Sequence, residues 1–195
     1  MIFITGAARS GTTLTCSILS ACGAEFGQVN SLMEHTPFRE GFVKPLLERA
    51  GYDPLCQYPL PDTYDLSWTD SDIDSIRLYL HGLNFYKGAK LIFLWKMMSA
   101  AFPDAKWIIV RRSKQAIADS CRRTRFMRKR TDWESWVDSH LEQIQVMKLT
   151  LNCQEIWTDD LDLSEFKKAV DFSGLQWDHE AAKRQIDPGK MRSPQ

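Results

Sequence analysis

The hydrophobic positions of this 195-residue chain follow two different periods, and each period predicts a different kind of element. Short runs of consecutive apolar, β-branched residues are typical of strands buried inside a parallel sheet. Apolar residues that recur three and four positions apart are typical of helices that cover such a sheet. We therefore predict an α/β fold in which strands at residues 2–5, 90–95, 106–110 and 155–157 alternate with helices.

Three helices are indicated by apolar periodicity or by capping signals. Residues 71–83 place their apolar side chains on one side of a helix. A second helix is predicted from Thr131, because Thr131 and Glu134 have the spacing of a capping box, and its Trp and His residues have the spacing of core positions. A third helix is predicted at residues 164–172, with Gly174 just beyond its end.

The segment that precedes the predicted helix at residues 71–83 has a different composition. Residues 28–70 are rich in Pro, Asp and Tyr and show little periodicity, which is typical of a ligand-binding loop. A chain of 195 residues is long enough for one core of its own. We expect a single domain over residues 1–195, with 28–70 as its ligand-binding loop region.

The first strand runs into a glycine-punctuated loop that leads to a helix. Such a loop lets the backbone wrap tightly, and the amides at the helix start can bind an anion. Gly6 and Gly11 have the spacing of the nucleotide-binding P-loop, but that motif has Lys after its second Gly. Here that position is Thr12, and the cation lies inside the loop as Arg9. The loop therefore predicts a site for a phosphate-like group other than the usual nucleoside triphosphate.

A second candidate anion site follows the strand at residues 106–110. Arg112 comes at the strand's carboxyl end, where open α/β folds bind ligands, and Ser120 lies eight residues further along. A guanidinium joined by a hydroxyl can hold a phosphate through charge-assisted hydrogen bonds. Considered alone, the pair could equally be a surface ion pair and an incidental helix serine.

The charge distribution favours a local anion site rather than a polyanion-binding protein. Lys and Arg total 25, as do Asp and Glu, so the formal net charge is zero. Residues 106–130 nevertheless hold ten basic residues against one acid, Asp119, which favours an anionic ligand or partner. The block lacks the interleaved aromatic pattern of base-stacking proteins and matches no nucleic-acid reader fold, so nucleic acid is not the favoured partner.

The remaining composition predicts a soluble cytoplasmic protein. No apolar run approaches the roughly 20 residues of a membrane span, and the chain starts directly in its first strand without a secretory signal. The five cysteines are scattered, none of them at metal-ligand spacing, and we expect neither a disulfide framework nor a metal site.

Together these segments resemble the sulfotransferase family that uses 3′-phosphoadenosine-5′-phosphosulfate (PAPS). The stretch Arg-Ser-Gly-Thr-Thr at residues 9–13 is similar to that family's 5′-phosphosulfate loop. Residues 102–112 followed by Ser120 resemble its 3′-phosphate motif, including the spacing of eight between Arg112 and Ser120. Residues 157–177 and 189–192 are similar to its late strand and helix and to its C-terminal basic loop, and the resemblance covers about two thirds of the chain.

The resemblance implies a P-loop-like three-layer fold with a central parallel sheet of about five strands. It implies sulfuryl transfer from PAPS to an acceptor hydroxyl or amine without a metal ion, giving 3′-phosphoadenosine 5′-phosphate. The acceptor class stays open between a sugar, a peptide tyrosine, a lipid and a small alcohol. The residues implied to bind PAPS are Arg9, Ser10, Gly11, Thr12, Thr13, Arg112, Ser120, Lys190 and Arg192.

The resemblance also implies catalytic residues. Arg9 would hold the transferred group, and Lys96, placed after the predicted strand 90–95, would stabilise charge on the bridging oxygen as a lysine there does in the family. The acceptor needs a general base, for which Glu34 is the first candidate and His35 the second. The sequence leaves both open, since adjacent loop residues can point either way.

Two other classes of protein are compatible with parts of this pattern. A P-loop NTPase or small-molecule kinase would explain the loop, but it requires the missing lysine and a strand ending in a magnesium-binding aspartate. A non-catalytic nucleotide- or nucleic-acid-binding module would use the basic block at 106–130 and would bind nucleic acid with steep salt dependence.

Overall fold

The computed structural model describes residues 1–55, 66–124, 127 and 132–186, and within them the chain has an α/β fold. Four parallel strands form one sheet in the order β2–β1–β3–β4, and helices cover both of its faces. The strands are β1 (Ile2–Thr5), β2 (Phe85–Lys87), β3 (Lys106–Arg111) and β4 (Cys153–Trp157).

Alternation of side chains along the central strands separates two of the three hydrophobic clusters of the described residues, one on each face of the sheet. Phe3 of β1 packs on the face of the sheet that carries Trp107, with 4.7 Å between their ring centroids. Ile4 and Ile108, which pair across β1 and β3, point to the opposite face. Because both central strands are buried on both faces, they consist almost wholly of apolar residues.

The first core lies under a helical stretch from Thr36 to Arg49 and under three longer helices, and the second lies under the first helix and the last two. In the stretch from Thr36 to Arg49, a π-helix at Arg39–Val43 joins two short α-helices. The α-helices are α1 (Thr12–Ala21), α2 (Thr36–Phe38), α3 (Lys44–Arg49), α4 (Asp70–Tyr79), α5 (Leu91–Ala101), α6 (Lys114–Arg123), α7 (Trp133–Thr150), α8 (Leu163–Phe172) and α9 (His179–Gln185).

Most predicted elements are confirmed. The strands at 2–5, 106–110 and 155–157 form β1, β3 and part of β4, and the helices at 71–83 and 164–172 correspond to α4 and α8. Helix α7 begins at Trp133 with Asp132 as its N-cap residue. Thr131, the predicted cap, lies outside the described residues.

The strand predicted at residues 90–95 is wrong, because this segment begins helix α5. Leu91, Ile92, Phe93 and Leu94 are all buried, so this end of the helix is apolar on every side. Such a run has no helical period and cannot be distinguished from a buried strand by pattern alone.

The second strand in chain order is instead β2, whose three residues are too few for a clear pattern. The described sheet thus has four strands where about five were predicted. The predicted loop at residues 28–70 is partly helical, over 36–49, and residues 56–65 lie outside the described part. In the described residues no helix combines the length and the apolar character needed to cross a bilayer.

The loop that follows β1 is pressed against the end of β3. A Cβ atom on Gly6 would lie 2.3 Å from the carbonyl oxygen of Val110 and 2.6 Å from Ser10 Oγ. Both distances are far below van der Waals contact. Only glycine therefore allows the loop to approach the neighbouring strand this closely.

We expect Gly6→Ala to lower the free energy of unfolding by about 3 kcal/mol, because the methyl group meets a backbone atom that cannot move alone. Gly88→Ala is the matched control. A Cβ there would lie 3.1 Å from the hydroxyl of Tyr86, the end of a side chain, and should cost less than about 1 kcal/mol. Urea denaturation of both variants measures the difference. Equal midpoints would contradict the close approach at Gly6.

Candidate functional site

The loop between β1 and α1 is held in a strained conformation by a residue from the far edge of the sheet. Arg9 and Gly11 both have positive φ, 73° and 98°. Thr158, just after β4, donates its hydroxyl to the carbonyl oxygen of Ser10 at 2.7 Å. A Cβ on Gly11 would lie 2.9 Å from that hydroxyl, so the loop fits directly on Thr158. The sequence did not point to this threonine as a clamp.

The N-terminus of α1 opens toward the same place. Gly11 is its N-cap residue and supplies no side-chain cap, so the amides of the first turn are available to an anion. Ser10 Oγ is fully buried and has no hydrogen-bond partner among the described residues. An orphaned buried hydroxyl costs free energy and is a feature of sites completed by a ligand.

The two predicted anion sites meet in the structure. Arg9 Nε donates to Ser120 Oγ at 3.0 Å, and Arg112 Nη1 lies 3.4 Å from the carbonyl oxygen of Arg9. Burial lowers the pKa of Arg9, and the nearby charges of Arg112 and Arg123 lower it further, although Cys121 acts in the opposite direction. Guanidinium groups that disfavour one another in this way are stabilised by a bound anion.

A buried carboxylate lies between cations on the other side of the loop. Glu34 Oε2 is 2.7 Å from Arg39 Nε, and its Oε1 is 3.6 Å from Nζ of Lys87, which also donates to the carbonyl oxygen of Leu32 at 2.9 Å. Burial raises the pKa of Glu34, but Lys87, Lys90 and Arg39 outweigh it, so the net pKa lies below the ordinary value. Glu34 is therefore ionised at neutral pH.

One cleft brings the loop, the carboxylate and an aromatic wall together. Its aromatic part is formed by Phe93 of α5 and by Trp136 and His140 of α7. Leu32 and Leu55, which also line the cleft, are exposed. The lining consists of Ala8, Arg9, Thr12, Thr13, Leu32, Glu34, Arg39, Leu55, Lys87, Ala89, Lys90, Phe93, Met127, Trp136 and His140.

His140 belongs to this lining and is held rigidly. Its Nδ1 donates to the carbonyl oxygen of Trp136 at 2.7 Å, which fixes the orientation of the ring. The ring packs 3.9 Å from Trp136 and 5.0 Å from Phe93, measured between centroids. The helical spacing in the sequence indicated packing alone, and the structure adds a position in the cleft wall.

The predicted site residues of the first loop and of the 3′ motif lie together. Arg9, Thr12, Thr13 and Glu34 line the cleft. Ser10 and Ser120 are buried and are not part of its lining. His35 does not line it. That histidine is buried near Gly27, and its burial lowers its pKa.

The structure places Lys96 differently from the prediction. Because residues 91–101 are helical, Lys96 lies in the middle of α5 and does not follow the end of a strand. Lys87 is the lysine that ends a strand, β2, and it lines the cleft. Its signal in the sequence was the short run Phe85–Tyr86 followed by Lys and Gly, which is too brief to stand out. Lys190 and Arg192 lie outside the described residues.

Carboxylates compensate much of the basic block described by the structure. Lys114 Nζ lies 2.6 Å from Asp138 Oδ2. Arg122 pairs with Asp119 and Glu134. Two of these three acids, Glu134 and Asp138, lie on α7, outside residues 106–130. The count of charged residues within 106–130 therefore overstates the positive charge that has no carboxylate partner.

In the part of the chain described, no cluster of three or more His, Cys, Asp or Glu side chains is arranged to hold a metal ion. The chain matches no protein-family model, and a search of curated proteins found no significant match.

We expect Glu34→Gln to lower the free energy of unfolding by about 3 kcal/mol at pH 7, since it removes the carboxylate that compensates the buried Lys87 ammonium. The folded pKa of Glu34 lies below its ordinary value of 4.5. Its stabilising contribution is therefore complete above pH 4.5 and is lost as the pH falls through the folded pKa. The difference in free energy of unfolding between Glu34→Gln and the unchanged protein should therefore shrink in acid.

Urea denaturation between pH 3.5 and pH 7 measures the free energy of unfolding of Glu34→Gln and of the unchanged protein. Glu48→Gln, at an exposed position, is the control and should alter this free energy little at any pH. A difference that stays constant with pH would contradict the ionised, paired state of Glu34.

Proposed function

We propose that this protein is a sulfotransferase that moves a sulfuryl group from PAPS to an acceptor hydroxyl or amine. The observation that supports it most strongly is the hydrogen bond from Arg9 to Ser120, 111 residues apart in the chain. It joins a loop suited to a 5′-phosphosulfate to a strand end suited to a 3′-phosphate. PAPS carries anionic groups at both of these positions.

In this proposal the loop binds the donor's reacting end. The amides of residues 10–13 and the Arg9 guanidinium hold the phosphosulfate, and the hydroxyls of Thr12 and Thr13 add hydrogen bonds. Arg112 and Ser120 hold the 3′-phosphate, with Lys190 and Arg192 closing over the nucleotide. The unit β1–loop–α1, in a parallel sheet with helices on both faces, supports a P-loop-like fold.

The transfer step is an in-line displacement at sulfur. The acceptor oxygen forms a bond to sulfur while the bond from sulfur to the bridging oxygen of the 5′-phosphate breaks. The acceptor proton passes to the Glu34 carboxylate, and the electron pair of the broken bond stays on the phosphate of the departing 3′-phosphoadenosine 5′-phosphate. No oxidation state changes, and catalysis consists of positioning and charge stabilisation.

Lys87 takes the role first assigned to Lys96. It lies 3.6 Å from Glu34 in the same cleft, where its ammonium can stabilise charge that develops on the bridging oxygen. Glu34 is preferred over His35 as the base, because Glu34 lines the cleft and is ionised, as a proton acceptor must be.

The alternative functions have less support. A magnesium-dependent NTPase or kinase needs a carboxylate for the metal beside the phosphate loop. Strand β3 ends beside that loop in Arg111 rather than in a carboxylate. Glu34, the carboxylate of the cleft, already pairs with Arg39 and Lys87. A nucleic-acid-binding module would rely on basic residues that Asp138 and other acids already compensate.

We expect Arg112→Ala or Ser120→Ala to weaken binding of 3′-phosphoadenosine 5′-phosphate by about thirtyfold, since each removes about 2 kcal/mol of charge-assisted hydrogen bonding. Binding of adenosine 5′-phosphate, which lacks the 3′-phosphate, should change little. Arg122→Ala is the matched control. Arg122 lies on helix α6 together with Ser120, but its guanidinium is paired with Asp119 and Glu134.

Calorimetric titrations with the two nucleotides and with ATP·Mg²⁺ measure these affinities. Equal losses for both adenosine nucleotides would remove the 3′-phosphate assignment. Tight binding of ATP·Mg²⁺ alone would favour the kinase alternative.

We expect Glu34→Gln to lower kcat by about 10²- to 10⁴-fold, the usual contribution of a general base, with the affinity for 3′-phosphoadenosine 5′-phosphate nearly intact. His35→Ala is the comparison variant and should retain most of the activity. Transfer of labelled sulfate from PAPS measures both. If His35→Ala abolishes transfer and Glu34→Gln does not, the base is His35.

A further inference from the structure

We propose that Asn30 is a positioning residue that holds Glu34 and Lys87 in their places in the cleft. This inference rests on the proposed sulfotransferase function, in which Glu34 is the base and Lys87 stabilises charge on the bridging oxygen. Two sets of hydrogen bonds support it. One set closes residues 30–34 into a loop, and the other joins this 30–34 loop to Lys87 and to α1. No motif in the sequence singled out Asn30.

Asn30 closes the 30–34 loop through both its side chain and its backbone. Its Oδ1 accepts from the backbone amide of Leu32 at 2.8 Å and from that of Glu34 at 3.1 Å. Its own amide donates to the carbonyl oxygen of Glu34 at 3.0 Å, and its carbonyl oxygen accepts from the Met33 amide at 3.0 Å. Asparagine suits such a turn, because its side-chain oxygen can replace a backbone acceptor.

Two of these four bonds fix the backbone of Glu34 on both sides of its Cα atom. The Glu34 amide donates to the Asn30 side chain, and the Glu34 carbonyl oxygen accepts from the Asn30 amide. The residues that flank the loop, Val29 and His35, form an antiparallel bridge. Met33 has a positive φ of 59°, a conformation that a non-glycine residue keeps only where its surroundings impose it. Glu34 therefore projects from a backbone that has little freedom to move.

The same loop positions the ammonium group of Lys87. Its Nζ donates to the carbonyl oxygen of Leu32 at 2.9 Å and lies 3.6 Å from Glu34 Oε1. Thr13 of α1 also donates to the Leu32 carbonyl oxygen, at the longer distance of 3.4 Å. Asn30 holds the amide of Leu32, and Lys87 is bonded to the carbonyl oxygen of that residue. The base and the ammonium group are therefore both anchored to one loop, and their separation depends on its shape.

The pKa of Glu34 reports the shape of this loop. Burial raises that pKa, whereas the charges of Lys87, Lys90 and Arg39 lower it, and the net value lies below the ordinary 4.5. The effect of a charge weakens as its distance grows. If Asn30 no longer held the loop, Glu34 would move relative to these cations and its pKa would return toward the ordinary value.

Nuclear magnetic resonance of the nucleotide-free protein tests the loop without an assay of transfer. In Asn30→Ala, the amide protons of Leu32 and Glu34 should exchange with solvent about fivefold faster, the equivalent of one lost hydrogen bond. The pKa of the Glu34 carboxyl should rise toward 4.5. Asn30→Asp should preserve the amide protection, because a carboxylate oxygen accepts from the same two amides. Amide exchange and a Glu34 pKa that are the same with and without Asn30 would contradict the inference.

Asp162→Ala is the matched control. Asp162 also accepts from the amide two residues further on, that of Ser164, at 2.8 Å, but it lies at the start of α8 and outside the cleft lining. Its substitution should change neither the exchange of the loop amides nor the pKa of Glu34. Should Asn30→Ala fail to fold, Asn30→Ser serves in its place. A serine hydroxyl accepts more weakly in such turns, so smaller changes in the same direction are expected.

Sulfate transfer from labelled PAPS, to whichever of methyl glucoside and 2-naphthol the protein sulfates, supplies the second measurement. We expect Asn30→Ala to lower kcat by about 10- to 10²-fold, since a displacement of about 1 Å at a reacting group can have the larger effect. The affinity for 3′-phosphoadenosine 5′-phosphate should stay nearly intact, because the bonds of Asn30 lie within its own loop. Asn30→Asp should restore most of the lost activity, and Asp162→Ala should leave kcat unchanged.

The two measurements separate this inference from the proposed function. If Asn30→Ala loosens the loop but the unchanged protein neither binds 3′-phosphoadenosine 5′-phosphate nor transfers sulfate, Asn30 positions Glu34 and the sulfotransferase proposal is wrong. If the protein transfers sulfate and Asn30→Ala keeps its full kcat, the positioning inference is wrong and the proposed function stands. Failure of Asn30→Asp to restore amide protection and kcat also overturns the inference, because it rests on the acceptor oxygen.

Discussion

The close approach between the ends of β1 and β3 is the constraint on which the whole site depends. Gly6 lets the loop after β1 lie against the Val110 carbonyl, and Thr158 holds the same loop from the end of β4. These contacts fix the positive φ of Arg9 and direct its side chain to Ser120. Parallel strands end at one edge of the sheet, so three distant segments of the chain meet around this loop.

The charged groups of the site fall into two sets, one around the loop and one around Glu34. Cations that disfavour one another surround the loop, and a bound anion would relieve that repulsion. On the other side, Glu34 stays ionised despite its burial, because Arg39 and Lys87 compensate its charge. Arg39, which pairs with Glu34, is the first residue of the π-helix. The same pairing that stabilises the carboxylate also limits its strength as a base.

The accuracy of the sequence predictions followed the clarity of each local pattern. Strand β1, its glycine loop and helix α1 were predictable because the glycines and the apolar run leave few alternatives. Residues 90–95 were assigned wrongly because a helix buried on all sides has no apolar period. The same error placed Lys96 at the end of a strand, whereas the lysine that ends a strand and lines the cleft is Lys87. Four strands and the flanking helices support the α/β class, but β2 was too short to be recognised.

Residue types and spacings in the chain were enough to predict the α/β class and the glycine loop between β1 and α1. These features are local, since propensity, glycine geometry and apolar period act over a few neighbouring residues. The positions of Glu34, Lys87 and His140 in the lining of one cleft emerged only from the folded chain. They depend on which side chains a parallel sheet brings together from distant segments of sequence, and no local pattern records such proximity.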